Sequence, residues 1–226
     1  MKSRNKALST VLLDSTIALS LATVVLAGIA LAHSGSTYYP SKWKRDLSVA
    51  WRIDNSVPGG AFRNRILDGA QEWNRLAPNM RFSHVGGDAT NVNIRRCSPN
   101  RPYQRDGVFY GPIDGRLNVL AFVVTCTFPG TNELKHFQMK FDSAENWYTG
   151  TGTPGSSAFD VWGVAAHEFG HATGFSGPYA KGHFNPRGGV CTSSPKHTMC
   201  PTISLGSTGS RSLEEHERHT FRNVYG

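Results

Sequence analysis

Residues 167–171 read His-Glu-Phe-Gly-His. Two histidines four positions apart on a helix sit one turn apart on the same face, so both imidazoles can reach a single Zn2+ at about 2.0–2.1 Å. The glutamate after the first histidine stands beside such an ion, not on it. There it can take a proton from a metal-bound water and later deliver it to a leaving amine, which is the chemistry of amide hydrolysis. A catalytic site of this kind needs a third protein ligand and one open position. In the extended pattern H-E-x-x-H-x-x-G-x-x-H, Gly174 stands where the glycine belongs, but the third-ligand position falls on Gly177, which has no side chain.

One rearrangement restores the spacing. Excising Ser176–Lys181 leaves His-Glu-Phe-Gly-His-Ala-Thr-Gly-Phe-Gly-His and puts His183 on the third position. A six-residue bulge in a surface loop costs little closure entropy. His197 and the downstream carboxylates Glu214, Glu215 and Glu217 remain competitors for the same role. Met199, within His-Thr-Met-Cys-Pro-Thr, by itself reads as an ordinary core methionine, and a family resemblance implies a tight turn there beneath the metal. Cys191 and Cys200 flank this turn, and a disulfide between them would tie the irregular segment under the site.

The elements that position these groups can be read from periodicity and turn signals. Ser157, with Asp160 three residues on, forms a capping box that opens a helix running to about Thr173 and carrying His167, Glu168 and His171. Gly174 ends it as a residue able to adopt a left-handed conformation. Phe62, Ile66, Ala70, Trp73 and Ala77 recur at helical spacing before Pro78. Strands are expected at Leu47–Asp54, Met80–Gly86, Asn91–Cys97, Leu117–Cys126 and His136–Asp142. The fourth is mostly apolar and reads as buried. The fifth alternates strictly and reads as a strand with one solvated side, at an edge. Residues 98–115, rich in Pro, Gly, Arg and Tyr, read as a long surface loop. Ser212–Glu215 is a second capping box, opening a last helix to about Tyr225. This order implies an α/β domain with one mixed sheet and few helices.

The 226 residues suffice for one domain with a sizeable core. Lys2, Arg4 and Lys6 precede an apolar run, Thr16–Ala32, that ends in Ala-Leu-Ala. This is the signature of a secretory signal cleaved after Ala32; an uncleaved membrane anchor is the alternative. Residues 33–46 read as a flexible lead-in, and 47–226 as the catalytic domain. Export places Cys97, Cys126, Cys191 and Cys200 in an oxidising compartment, where three pairings exist; sequence neighbours are the preferred partners. Net charge is +8, of which residues 1–32 carry +2. The basic residues are scattered rather than clustered, which argues against a nucleic-acid partner.

With these residues in place, the chain resembles the metzincin zinc proteases, and among them the matrixins, over Leu47–Gly226. The resemblance rests on Trp51–Pro58, Ile66–Val85, Met139–Trp147, the helix segment Val161–Phe175, the Met199 turn and Ser212–Gly226. It implies a metzincin-like fold: a mixed, mostly parallel sheet with an antiparallel edge strand, a zinc helix and a C-terminal helix. His167, His171 and His183 would hold one catalytic Zn2+, with Glu168 as general base and Met199 beneath the metal. A peptide or protein substrate would pair with His136–Asp142 as edge strand. The expected product is a secreted, monomeric endopeptidase with no stable membrane association once the signal is cleaved. Where the family carries histidines for a second, structural zinc, this chain has Phe122 and Lys140, so no structural zinc is expected, and a Cys97–Cys126 disulfide could replace that staple. Calcium is left open, because acidic clusters are sparse. The family's Pro-Arg-Cys-Gly latency segment does not occur in these residues. The alternative function is a non-catalytic secreted or membrane-tethered binding protein on the same scaffold. Retention of Glu168 argues against it, since a purely structural zinc has no use for that carboxylate.

Overall fold

The computed structural model describes residues 38–86, 106–192 and 196–226. The signal segment 1–32, the strand expected at Asn91–Cys97 and Cys97 itself lie outside the described residues. Five strands form the main sheet: β1 (Leu47–Ile53), β2 (Met80–His84), β3 (Gly107–Gly111), β4 (Ala121–Thr127) and β5 (Leu134–Asp142). Their spatial order is β2-β1-β3-β5-β4; all neighbours are parallel except β4, which runs antiparallel to β5. Two short strands, β6 (Trp147–Tyr148) and β7 (Phe159–Asp160), pair separately.

Two sequence expectations about the sheet are corrected. The edges are β2 and the antiparallel strand β4, and β5 lies inside the sheet between β3 and β4. The alternation in β5 does put Phe137, Met139 and Phe141 on a fully buried face, but Gln138 on the other face is buried too. The apolar character of β4 reflects a different burial: Ala121, Phe122 and Val123 line a cleft. Phe122 and Lys140 are direct cross-strand partners. The second correction concerns the expected loop 98–115, which contains β3, a central strand with Val108 and Phe109 buried. Its glycines masked it. At Gly107 a Cβ would stand 3.2 Å from the Arg52 carbonyl oxygen, so the neighbouring strand approaches closely there.

Helix α1 (Ala61–Asn74) packs on the sheet through the expected face, burying Phe62, Ile66, Ala70 and Trp73. Helix α2 (Val161–Ala172) crosses α1 at close quarters. A Cβ on Gly69 would come within 2.6 Å of the Ala165 side chain, and the Trp73 indole N–H donates to the Ala166 carbonyl at 2.8 Å. Helix α2 begins later than its sequence signal suggests. Asp160, not Ser157, is the N-cap: its carboxylate accepts the Gly163 N–H at 2.8 Å. The same buried carboxylate takes a two-pronged hydrogen bond from Arg211, at 2.8 and 2.7 Å, which fixes the helix start to the C-terminal segment. After α2 come a 3-10 turn (Ala180–Gly182), a short helix α3 (Gly189–Thr192) and helix α4 (Glu215–Tyr225). The cap of α4 is also displaced from the expected box: Glu214 is the N-cap and exchanges capping-box bonds with Glu217.

From Tyr38 onward the expected flexible lead-in is packed. Tyr39 and Trp43 are buried. The Trp43 indole donates to the Ala172 carbonyl at 2.8 Å, and its backbone N–H donates to the Tyr225 hydroxyl at 3.0 Å. Aromatic residues in a polar stretch carried this burial, and the Gly/Ser/Tyr composition hid it. No helix of the described residues is long and apolar enough to cross a membrane.

Gly170 gives the sharpest packing test. A Cβ there would collide with Met199 Sδ and stand 2.7 Å from Trp73 Cζ2. Helix propensity alone favours alanine by about 0.8–1.0 kcal/mol, but overpacking a closed core costs about 1–3 kcal/mol. Gly170→Ala should therefore lower the melting temperature by several degrees; an unchanged or raised value would show that the Met199 turn yields freely.

Candidate metal centre

The five residues His167–His171 point in different directions because α2 is enclosed on most sides. Phe169 faces the sheet, with ring centroids 4.9 Å from Phe82, 5.1 Å from Trp51 and 6.0 Å from Phe137. Gly170 faces Trp73 and Met199. His167, Glu168 and His171 line a cleft of about 930 Å3 bounded by β4 on one side and Pro201–Ile203 on another.

His183 arrives from outside the helix. The Gly174 φ of 95° ends α2 in the left-handed conformation expected of a glycine, and its Cα faces the Ser41 carbonyl where no side chain would fit. The segment after it closes on itself. Gly177 N–H donates to Gly182 O at 2.8 Å, Gly182 N–H to Tyr179 O at 3.0 Å, and Tyr179 N–H to His183 O at 3.1 Å. Gly177 has no room for a Cβ, which would meet the His183 carbonyl group. Residues 177–182 thus form a tight hairpin whose ends meet, and the chain resumes at His183 almost where it left. Phe184 then anchors it, buried against Phe175 at 5.3 Å, with its N–H on the Met199 carbonyl at 3.1 Å.

The three imidazoles converge. His183 Nε2 lies 3.2 Å from His167 Nε2 and 3.3 Å from His171 Nε2. The far nitrogens explain the orientation: His167 Nδ1–H donates to Thr198 O at 2.7 Å, and His171 Nδ1–H to Phe175 O at 3.2 Å. These bonds fix the tautomer so that the Nε2 lone pairs face inward. Bare lone pairs at such distances repel unless a cation lies between them. Four-coordinate zinc with bonds of 2.0–2.1 Å separates its ligand nitrogens by about 3.3–3.4 Å, so the donor set fits that ion. Burial, with the neighbouring histidines, holds His167 well below the ordinary imidazole range; burial, with His183 beside it, brings His171 down to about 4. Both rings are therefore neutral near pH 7, as ligands must be.

Glu168 lines the same cleft, nearly fully buried, and its Oε2 has no hydrogen-bond partner. Burial pushes its carboxyl up to about 8; a nearby cation acts in the opposite direction. Among the described residues, His167, His171 and His183 are the one group of three metal-ligating side chains that comes together. The competitors are engaged elsewhere. His197 Nδ1 faces the Val190 carbonyl at 3.0 Å and its Nε2 faces His216. Glu214 caps α4, and Glu215 is exposed. Glu217 is fully buried beneath the turn, where it accepts the Met199 N–H at 3.0 Å and the Glu214 N–H at 3.1 Å. That role of Glu217 was not foreseen; its spacing from Glu214 was the available signal, since a residue three after an N-cap reaches back toward it. Cys191 and Cys200 are bonded, with Cα atoms 5.6 Å apart, under this segment. Cys126 also takes part in a disulfide, and its expected partner Cys97 lies outside the described residues.

A sheet with one antiparallel edge over a helix that carries two of three convergent imidazoles and a buried carboxylate fits a metzincin-type α/β fold. The chain belongs to the matrixin family, whose model matches residues 42–226. Similar curated proteins are human neutrophil collagenase, 27% identical over 82% of this chain, human matrix metalloproteinase-27, 30% identical over 58%, and human matrix metalloproteinase-17, 30% identical over 61%. The aligned part is 33%, 23% and 21% of those proteins respectively, so this chain spans a third or less of each relative it matches.

Loss of outer-shell partners alone typically weakens metal binding about 10–100-fold, so His183→Ala should weaken zinc by more than about 100-fold in a chelator competition. Excising Ser176–Lys181, by contrast, should leave the zinc affinity within about tenfold of the parent. Equal zinc affinity in His183→Ala and the parent would remove His183 from the donor set.

Proposed function

We propose that this chain is a secreted, zinc-dependent endopeptidase in which His167, His171 and His183 hold one catalytic zinc and Glu168 is the general base. The observation that carries this reading is the convergence of three imidazoles beside a buried carboxylate whose Oε2 has no hydrogen-bond partner, in an open cleft. Bound zinc would supply Lewis acidity, polarising the scissile carbonyl and acidifying a water.

The chain's own groups do the rest. The Thr198 and Phe175 carbonyls hold the imidazoles in the tautomer that binds metal. The Glu168 carboxylate takes the proton of the attacking water on one oxygen and passes it to the amine nitrogen as the C–N bond breaks. Its low exposure keeps bulk water from competing for that proton. Strand β4 is an edge strand of the sheet and lines the cleft, so an extended peptide can add to it in antiparallel register. Pro201, Thr202 and Ile203 form the facing wall. This arrangement reads backbone first, which suits an endopeptidase acting on extended protein segments. All of these groups lie in one chain, so the reading needs no second subunit.

Glu168→Ala should retain zinc and the thermal stability of the parent while lowering kcat/KM on a denatured protein by about 10²–10⁴-fold. Chelation should abolish the parent's activity, and added zinc should restore it. A zinc-loaded parent that binds unfolded polypeptide without cleaving it would instead favour the binding-module reading.

A further inference from the structure

Three non-glycine residues among those described have positive φ: Asp46, Leu117 and Lys181. Two of the three line the cleft. Left-handed backbone is unfavourable for such side chains and persists where the surroundings over-determine it, often at functional positions. For Lys181, with φ 58° and ψ 23°, the closed hairpin of residues 177–182 imposes it. The side chain is exposed, and among the described residues it has no ion-pair partner. Among the described residues, apart from the metal-site group with Glu168, every other residue lining the cleft is uncharged, so Lys181 is the one fixed cation among them.

The position of Lys181 along the cleft follows from the packing. Gly182 lies against Ser176, where a Cβ would stand 3.0 Å from the Ser176 hydroxyl. Gly174, two residues earlier, lies against Leu134, where a Cβ would stand 3.0 Å from Cδ1. Leu134 pairs with Thr127, the last residue of β4. Lys181 therefore belongs to the end of the cleft where β4 finishes. Leu117, 62% exposed, precedes β4 and stands at the other end, with its N–H on the Glu145 carboxylate. A peptide antiparallel to β4 would lay its N-terminal part along the Lys181 end and its C-terminal part along the Leu117 end.

We propose that Lys181 makes this cleft select peptides bearing an Asp or Glu side chain on the N-terminal side of the scissile bond. The inference rests on the peptidase reading and on antiparallel pairing with β4. The cation is carried by the hairpin that interrupts the metal-binding pattern, so selectivity and the inserted loop are one feature. An exposed ion pair of this kind corresponds to about two- to fivefold in kcat/KM, and salt screens it.

The test uses the zinc-loaded chain and two peptides that differ only in Glu or Gln at one position N-terminal to a mapped cleavage site. The readout is the Glu:Gln ratio of kcat/KM, which is insensitive to any general loss of activity. The parent should favour Glu about two- to fivefold at low salt and lose most of that preference at 0.5 M salt, a concentration chosen because the Debye length there is only about 4 Å. Lys181→Arg should keep the ratio, and Lys181→Glu should bring it below one, a swing of about tenfold. Cleavage of both peptides with a ratio of one in the parent, or an unchanged ratio in Lys181→Glu, overturns the inference and leaves the peptidase reading standing. Cleavage of neither peptide overturns both.

Discussion

Helix α2 is enclosed so tightly that each residue from His167 to His171 has one direction available, and the rest of the molecule depends on that constraint. Phe169 must enter the sheet among Trp51, Phe82 and Phe137. Gly170 must be side-chain-free because Met199 and Trp73 occupy the space. With those two positions taken, the helical repeat leaves His167, Glu168 and His171 for the cleft. The start of the helix is held by Asp160 and Arg211, and its end by Gly174. The chemistry of the site is thus set by packing that never touches a substrate.

The same constraint explains why the Met199 turn is built so firmly. It gives the Thr198 carbonyl to His167, its own carbonyl to Phe184, and its N–H to Glu217 of α4. Two of the three imidazoles are therefore positioned through one turn: His167 directly, and His183 through its neighbour Phe184. The Cys191–Cys200 disulfide closes the segment beside it. Burial raises the Glu217 carboxyl above its usual range, while the backbone N–H groups of Met199 and Glu214 and the nearby His197 favour its charged form. Glu217, on the last helix, in this way becomes part of the support for the three convergent imidazoles.

Much of this was legible from residue types and spacing. The zinc helix, the apolar face of α1 and the placement of His183 behind an insertion all follow from periodicity and motif arithmetic, because those are local rules. The sheet is less legible. Strand β4 looks buried because its apolar side chains line the cleft, and β5 looks like a half-solvated edge although it lies inside the sheet with Gln138 of its polar face buried; sequence alone does not say what covers a face. Strand β3 is short and bounded by glycines, so composition favoured a loop. The capping residues are displaced by two or three positions, because Asp160 and Glu214 compete with nearby serines and tertiary partners such as Arg211 decide the outcome. The acceptors that orient the histidines are backbone carbonyls, which no residue identity announces.

The hairpin of residues 177–182 illustrates how an insertion can be tolerated inside a metal-binding pattern. Its ends are joined by its own backbone hydrogen bonds, so the chain resumes at His183 beside Gly177, where it left. The direct test is X-ray absorption at the zinc edge on the metal-loaded chain. Three imidazole nitrogens and one further light atom at about 2.0–2.1 Å are expected, with one imidazole fewer in His183→Ala. Two imidazoles with a carboxylate in the parent, or no change on substituting His183, would contradict the account.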